Sequence, residues 1–248
     1  DEYPIQLFAA AGFAVLSFHH PRTVGVGLGA KTWEEANRLN HDNWADRKSI
    51  QSALEVGLSQ AIATGAVDPD HMGITGVSDG SNMLQFALIN SRLFRAAASS
   101  SCCEDPGTLL PLSGITGAQM MIDMGYPRLT AAVESYWRPY SLADNAKDIH
   151  VPLLMQLADT EYLAGLETFM ALREAGDPTE MFVYPDEFHE KWQPSHRLAV
   201  YQRNVDWFAF WLAGREDPDP AKIPQYARWR ALRSHPTDSS SGASPVRH

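Results

Sequence analysis

Five residues constrain this chain more than any others: Gly76-Val77-Ser78-Asp79-Gly80. They fit the pattern G-x-S-x-G and stand between an apolar run, Met72-Gly73-Ile74-Thr75, and a segment of helical periodicity from Ser81 to Asn90. A serine between glycines at a strand-to-helix turn is lifted above the end of a parallel sheet, where its hydroxyl can act as a nucleophile. The glycines answer to sterics, because backbone crowds backbone in such a turn. The helix that follows aims its first amides at the same point, which makes the Asp79 N–H a candidate oxyanion donor. A bare five-residue match arises by chance, so the strand-turn-helix context carries the weight.

The rest of the chain alternates in the same way. Phe13–Phe18, Phe94–Ser99, Pro152–Leu157 and Glu180–Tyr184 read as strands. Thr32 and Glu35 form a capping-box pattern that opens one long helix from Trp33 to Thr64. Further helices are expected over Leu163–Glu174, closed by Gly176, and over Pro194–Leu212. This alternation predicts an α/β fold with a mostly parallel sheet flanked by helices. Residues 19–30, with Gly25-Val26-Gly27-Leu28-Gly29, read as a flexible loop that does not match G-x-G-x-x-G. Residues 101–140, rich in Gly, Pro, Met and Tyr, read as an irregular insertion. Residues 1–215 are expected to form one domain, and 216–248 a C-terminal extension with a short helix at Ile223–Arg233 and then a disordered Ser/Pro-rich tail.

Composition narrows the function. With 20 basic and 30 acidic residues the formal charge is −10, which argues against a general nucleic-acid binder. The longest apolar run, Leu7–Phe18, falls short of the roughly 20 residues that span a bilayer. The only cysteines, Cys102 and Cys103, exclude a disulfide framework. They read as two buried thiols at a strand end, in preference to a strained ring between neighbours. No histidine or carboxylate spacing suggests a metal site, so neither metal nor other cofactor is expected. The chain begins without Met and without a signal-peptide pattern, and is expected to be part of a longer protein.

A serine hydroxyl needs a base and a carboxylate to orient that base, and in this fold class the chain order is Ser, acid, His. Of the nine histidines, His189 lies on the loop after the strand Glu180–Tyr184, where open α/β sheets place their sites. His196 falls inside the following helix and is the weaker candidate. The acid belongs on the loop after Pro152–Leu157, which carries both Asp159 and Glu161. Spacing alone does not choose between them.

The segment from Asp68 to Gly80, together with Val151-Pro152-Leu153-Leu154 and the stretch from Tyr184-Pro185 to Asp206-Trp207-Phe208, resembles the prolyl oligopeptidase family of serine peptidases. The resemblance covers roughly residues 1–213 and implies an α/β-hydrolase catalytic domain preceded by a β-propeller. Within that family, Gly76–Ser81, Ser99–Glu104, Gln156–Tyr162 and Phe188–Trp192 are closer to the lasso peptide isopeptidases. Those enzymes hydrolyse the macrolactam bond between an N-terminal amine and an Asp or Glu side chain. Two departures from the wider family stand out: Ser81 replaces a glycine, and Leu157-Ala158 replaces His-Gly. Aligned without a gap from Pro152, the family's acid falls on Glu161, so the resemblance implies a triad of Ser78, Glu161 and His189. The second oxyanion donor of the wider family, a tyrosine, has no match here and is expected upstream of Asp1. Losing one such donor costs about 10²–10³ in rate, so residues 1–248 by themselves are expected to be weakly active.

For substrate contact, Trp192 follows His189, and Tyr126 and Trp137 lie in the insertion. These three are candidate pocket walls, although residues of the insertion could equally be its own core. The implied partners are a lasso peptide and the upstream propeller, in the periplasm or the cytoplasm of a Gram-negative bacterium. A general peptidase or esterase on linear substrates is the alternative activity. A catalytically dead binding module is disfavoured, since it would have no reason to carry Ser78, Glu161 and His189 together.

Overall fold

A computed structural model describes residues 4–131 and 134–234. The first helices are α1 (Ile5–Ala10), α2 (Val24–Gly27), α3 (Trp33–His41) and α4 (Ala45–Ala63). There follow β1 (Gly73–Gly76), α5 (Asp79–Asn90), β2 (Ala96–Ser99), and α6 (Leu109–Leu112), α7 (Gly114–Asp123) and α8 (Glu134–Trp137). The second half holds β3 (Leu153–Ala158), α9 (Tyr162–Ala175), β4 (Thr179–Tyr184), α10 (Pro194–Ala213) and α11 (Ile223–Ser234). Among the described residues the strands form one parallel sheet in the order β1-β2-β3-β4.

Burial explains why these runs are strands. All six residues of β3, Leu-Leu-Met-Gln-Leu-Ala, are buried, as a strand covered on both faces must be. Side chains alternate between two cores. Ile74, Ala97, Leu153, Met155 and Leu157 face α4, α5 and α9 through Leu54, Leu58, Leu84, Leu88 and Leu172. Ala96, Ala98 and Leu154 face α1, α10 and α11 through Phe8, Trp207, Phe208, Phe210, Tyr226 and Trp229. Each fully buried large side chain contributes about 1.5–3 kcal/mol, so the aromatic face of α10 is a main anchor of the second layer. A third cluster of Trp44, Phe86, Tyr126, Trp137 and Tyr140 sits beneath the insertion.

Several expectations need correction. Residues 13–18 form no strand: Val15 and Leu16 are 39% and 48% exposed, and no described strand hydrogen-bonds to them. An apolar run becomes a strand only where a ladder partner lies beside it. The helix expected from Trp33 to Thr64 is two helices, broken where Asn43 and Trp44 take φ of 50° and 55°. Trp44 stacks on Tyr140 at 4.1 Å and donates its indole N–H to the Tyr136 carbonyl at 2.6 Å, a long-range anchor that no local pattern shows. The insertion is helical rather than irregular, in α6, α7 and α8: Leu109, Met121 and Met124 pack against that same aromatic cluster, while Leu112, Ile115 and Met120 are exposed. The glycine-rich loop is one helical turn, α2, in which Gly25 lies against the Ala36 backbone and donates its N–H to Asn40 at 2.7 Å.

Cys102 and Cys103 also depart from the sequence reading: they are joined to each other in a disulfide, across a cis peptide bond. The sequence reading rested on burial, which does not separate free from paired sulfur. The C-terminal helix is found as α11, where Trp229 meets Trp207 edge-on at 5.1 Å. The tail expected to be disordered lies outside the described residues beyond Ser234. None of the described helices is long and apolar enough to cross a membrane.

Candidate active site

Each of the four strands sends one element of the site from its C-terminal end. Ser78 follows β1, Ser100 and Ser101 follow β2, Glu161 follows β3 and His189 follows β4. This is the edge at which parallel sheets gather functional groups.

Ser78 is exposed and sits at φ 56°, ψ −125°. A non-glycine residue held there costs about 1–3 kcal/mol, so its surroundings must over-determine it. They do. A Cβ on Gly76 would strike the Gly80 carbonyl, so only glycine lets the turn close. The Ser78 N–H donates to Ser101 Oγ at 2.7 Å. Ser81 donates to the Gly76 carbonyl at 3.0 Å and accepts from Ser99 at 2.8 Å. The departure at Ser81 thus has a structural reason: its hydroxyl ties the turn to β2 in a buried network of serines. Sequence reasoning missed that role for Ser99 and Ser101, although the run Ser99-Ser100-Ser101 was the available signal.

Glu161 Oε1 lies 2.5 Å from His189 Nδ1. Its other oxygen is buried and without a hydrogen-bond partner among the described residues. Asp159 is placed differently. Its Oδ2 accepts the Asp186 N–H at 2.8 Å, where Asp186 turns the loop at φ 53°. Asp159 therefore staples the loop after β3 to the loop after β4, and so holds Glu161 and His189 together. No hydrogen bond joins Ser78 Oγ to His189 among the described residues. Contacts of this kind are often long in an unliganded site and tighten with substrate.

The His189 loop is held from below by two buried charges. Lys191 is 1% exposed, and its ammonium donates to the Ser100 carbonyl. Glu187 is 2% exposed and accepts from the Trp192 N–H at 2.8 Å, the Gln193 N–H at 3.2 Å and His196 Nδ1 at 2.8 Å. Burial alone would raise the Glu187 pKa, but these donors bring it below the ordinary glutamate value. Neither Lys191 nor Glu187 was singled out in the sequence, because nothing local marks a charge as buried.

Asp79, whose N–H is the candidate oxyanion donor, opens α5. Its carboxylate bonds Arg47 of α4, and His20 Nε2 stands 4.0 Å from its other oxygen. Glu104, just beyond the disulfide, accepts from Asn82 at 2.9 Å, Tyr126 at 2.6 Å and Tyr140 at 3.0 Å. Burial first, and then the Glu104 charge, push both phenols well above their ordinary pKa, so they stay protonated donors. Of the three candidate pocket walls, Tyr126 and Trp137 are 7% and 4% exposed and belong to the interior of the aromatic cluster. Trp192 is 65% exposed, as is Phe188, and their rings meet edge-on at 6.3 Å. Among the described residues, no three His, Cys, Asp or Glu side chains are grouped to hold a metal ion.

The sequence profile of the prolyl oligopeptidase family matches residues 2–215. This chain belongs to the prolyl oligopeptidase family. The lasso peptide isopeptidase AtxE2 of Asticcacaulis excentricus is 42% identical over 246 residues, which cover 94% of this chain and 34% of that protein. The chain therefore spans about a third of the length of that relative. A solved structure of an AtxE2 variant with Astexin3-dC4 bound superposes with a TM-score of 0.91, at 43% identity over 94% of this chain and 36% of the other. The acylaminoacyl peptidase of Pyrococcus horikoshii, at 21% identity, shares the fold, with a TM-score of 0.62 over 76% of this chain and 31% of its own. The expected α/β-hydrolase fold and the expected family are both borne out.

Proposed function

We propose that this chain is the catalytic domain of a lasso peptide isopeptidase, hydrolysing the macrolactam bond to release the linear peptide. The observation that carries the reading is the extended likeness to AtxE2, a lasso peptide isopeptidase, across 94% of the chain. The site chemistry supports it: a strained, exposed serine and a histidine held by a glutamate, at the same edge of the sheet.

In this mechanism Ser78 Oγ attacks the isopeptide carbonyl while His189 Nε2 takes its proton. Glu161 fixes the tautomer through Nδ1–H and stabilises the imidazolium that forms. The Asp79 N–H binds the developing oxyanion. His189 then returns the proton to the leaving amine, and the amine departs from an acyl-serine. Water, deprotonated by His189, releases the Asp or Glu side chain as a free carboxylate and restores Ser78. Exposed Trp192 serves as a wall beside the histidine. A β-propeller upstream of this domain encloses the site and admits the substrate, and a further oxyanion donor comes from that upstream region.

The test is mass spectrometry on the protein with its upstream region, given a threaded lasso peptide and, separately, the unthreaded linear chain of the same sequence. Gain of one water on the lasso, abolished by Ser78→Ala, is the expected result. Cleavage of the linear chain alone overturns it in favour of a general oligopeptidase, and inertness towards both overturns it altogether.

A further inference from the structure

Arg47 stands next to the serine turn without belonging to it. It lies in the first turn of α4, directly after the left-handed residues Asn43 and Trp44. That break is rigidly placed. Trp44 is stacked on Tyr140, and Asp46 accepts the Val24 N–H at 2.9 Å. The Arg47 side chain is only 16% exposed, and its Nη2 donates to Asp79 Oδ1. Its Nη1 is buried without a partner among the described residues. The guanidinium is thus committed to one carboxylate, on the residue immediately after Ser78.

We propose that Arg47 is a positioning residue for the reaction at Ser78, holding Asp79 so that its N–H stays aimed at the oxyanion. This rests on the reading of Ser78 as nucleophile given above. Two physical effects combine. The peptide between Ser78 and Asp79 follows the strained ψ of Ser78, and a peptide in such a conformation is kept there only by its surroundings. Gripping the Asp79 side chain from α4 fixes the far side of that peptide. The second effect is electrostatic. The Asp79 carboxylate stands beside the place where negative charge develops, and Arg47 neutralises it. Without the guanidinium, a free carboxylate would oppose the oxyanion.

The experiment compares Arg47→Gln, Arg47→Lys, Asp79→Asn and the double variant Arg47→Gln/Asp79→Asn in the protein with its upstream region. Three quantities are read: the burst rate of Ser78 acylation by a p-nitrophenyl ester, kcat and KM on the peptide substrate, and the inhibition constant of a peptide boronic acid, which forms a tetrahedral adduct on serine. Arg47→Gln is expected to lower the burst rate and kcat about 30–100-fold, somewhat less than removal of an oxyanion donor. KM is expected to stay within about threefold, and the boronic acid to weaken by about the same factor as kcat. Arg47→Lys, which keeps the charge and guards against a folding artefact, recovers part of the rate. In the Asp79→Asn background, Arg47→Gln costs less than about threefold, the non-additivity expected of two residues acting as one.

A loss confined to KM, a kcat within threefold of the native value, or equal losses in both backgrounds overturns the proposal. The ester separates this failure from failure of the isopeptidase reading. If the native protein forms a Ser78-dependent acyl-enzyme but leaves lasso peptides intact, the substrate assignment falls and the role of Arg47 is still decided by the burst rates. Absence of any Ser78-dependent acylation overturns both.

Discussion

Two glutamate–histidine pairs stand within one loop of each other, and they differ in what the glutamate has left to give. In the Glu161–His189 pair one carboxylate oxygen meets the imidazole at 2.5 Å and the other has no hydrogen-bond partner among the described residues. The histidine is half exposed. In the Glu187–His196 pair the imidazole is 2.8 Å away, but the same carboxylate also accepts two backbone N–H groups, and its side chain is fully buried. The second pair has both oxygens committed to fixed donors, so it holds a loop in shape. The first leaves an imidazole facing solvent at the sheet edge, with Nδ1 fixed and Nε2 available. A short carboxylate–imidazole contact is therefore not by itself a catalytic signature; what distinguishes the two is exposure and remaining hydrogen-bond capacity.

The comparison breaks most readily at the histidines. His189→Ala is expected to lower kcat for peptide hydrolysis by about 10⁴–10⁶-fold, whereas His196→Ala stays within about tenfold and shows its effect in thermal unfolding instead. Comparable losses in kcat would erase the distinction. Glu161→Gln is expected to cost about 10⁴ in kcat by removing the anion that fixes the tautomer. Asp159→Asn, which leaves an oxygen for the Asp186 N–H, is expected to stay within about tenfold. Steady-state kinetics on the two variants decide it, and the reverse order would reassign the acid.

The structural pair is tested by stability. Glu187→Ala leaves the Trp192 and Gln193 N–H groups without their acceptor, and an orphaned buried donor costs about 1–3 kcal/mol. Urea unfolding of Glu187→Ala is expected to show a loss in that range or above, with kcat falling about tenfold as the His189 loop loosens. A smaller pH effect sharpens the point. The folded pKa of Glu187 lies below its ordinary value of 4.5, so its ionisation stabilises the fold above that value, and this contribution is lost as pH falls through the folded pKa. The stability gap between the native protein and Glu187→Gln is expected to narrow as pH falls below about 4.5, in urea titrations at each pH. A gap that widens over that range would contradict the assignment of that carboxylate as buried, ionised and hydrogen-bonded.

Much of the candidate site was legible in the sequence. Ser78 announced itself because a turn that must lack side chains on either flank leaves glycines at fixed spacing. His189 was legible because chain order and a preceding strand place it at the right edge of a parallel sheet, while His196 falls inside a helix. Asp159 and Glu161 were not separable from residue type and spacing alone. Both are carboxylates on one loop, and which of them meets the imidazole depends on how the loops after β3 and β4 dock. The Asp159–Asp186 bond decides that docking and is invisible in either loop by itself.

The misreadings share a cause. Residues 13–18 have the apolar content of a strand, but a strand is defined by its neighbour. The helix from Trp33 breaks at Trp44 because a distant stack on Tyr140 outweighs local helical periodicity. Tyr126 and Trp137 were open to two readings, and burial places them inside the aromatic cluster. Local sterics and periodicity dictate the alternating α/β order and the serine turn, and the motifs carry the family. The fold settles the pairings that join separate elements, Glu161 with His189, Glu187 with His196 and Arg47 with Asp79, and it also closes the bond between the neighbours Cys102 and Cys103 after β2. Side-chain chemistry is written locally, but whether a charge is buried, paired or left free is set by what the fold brings to it from elsewhere in the chain.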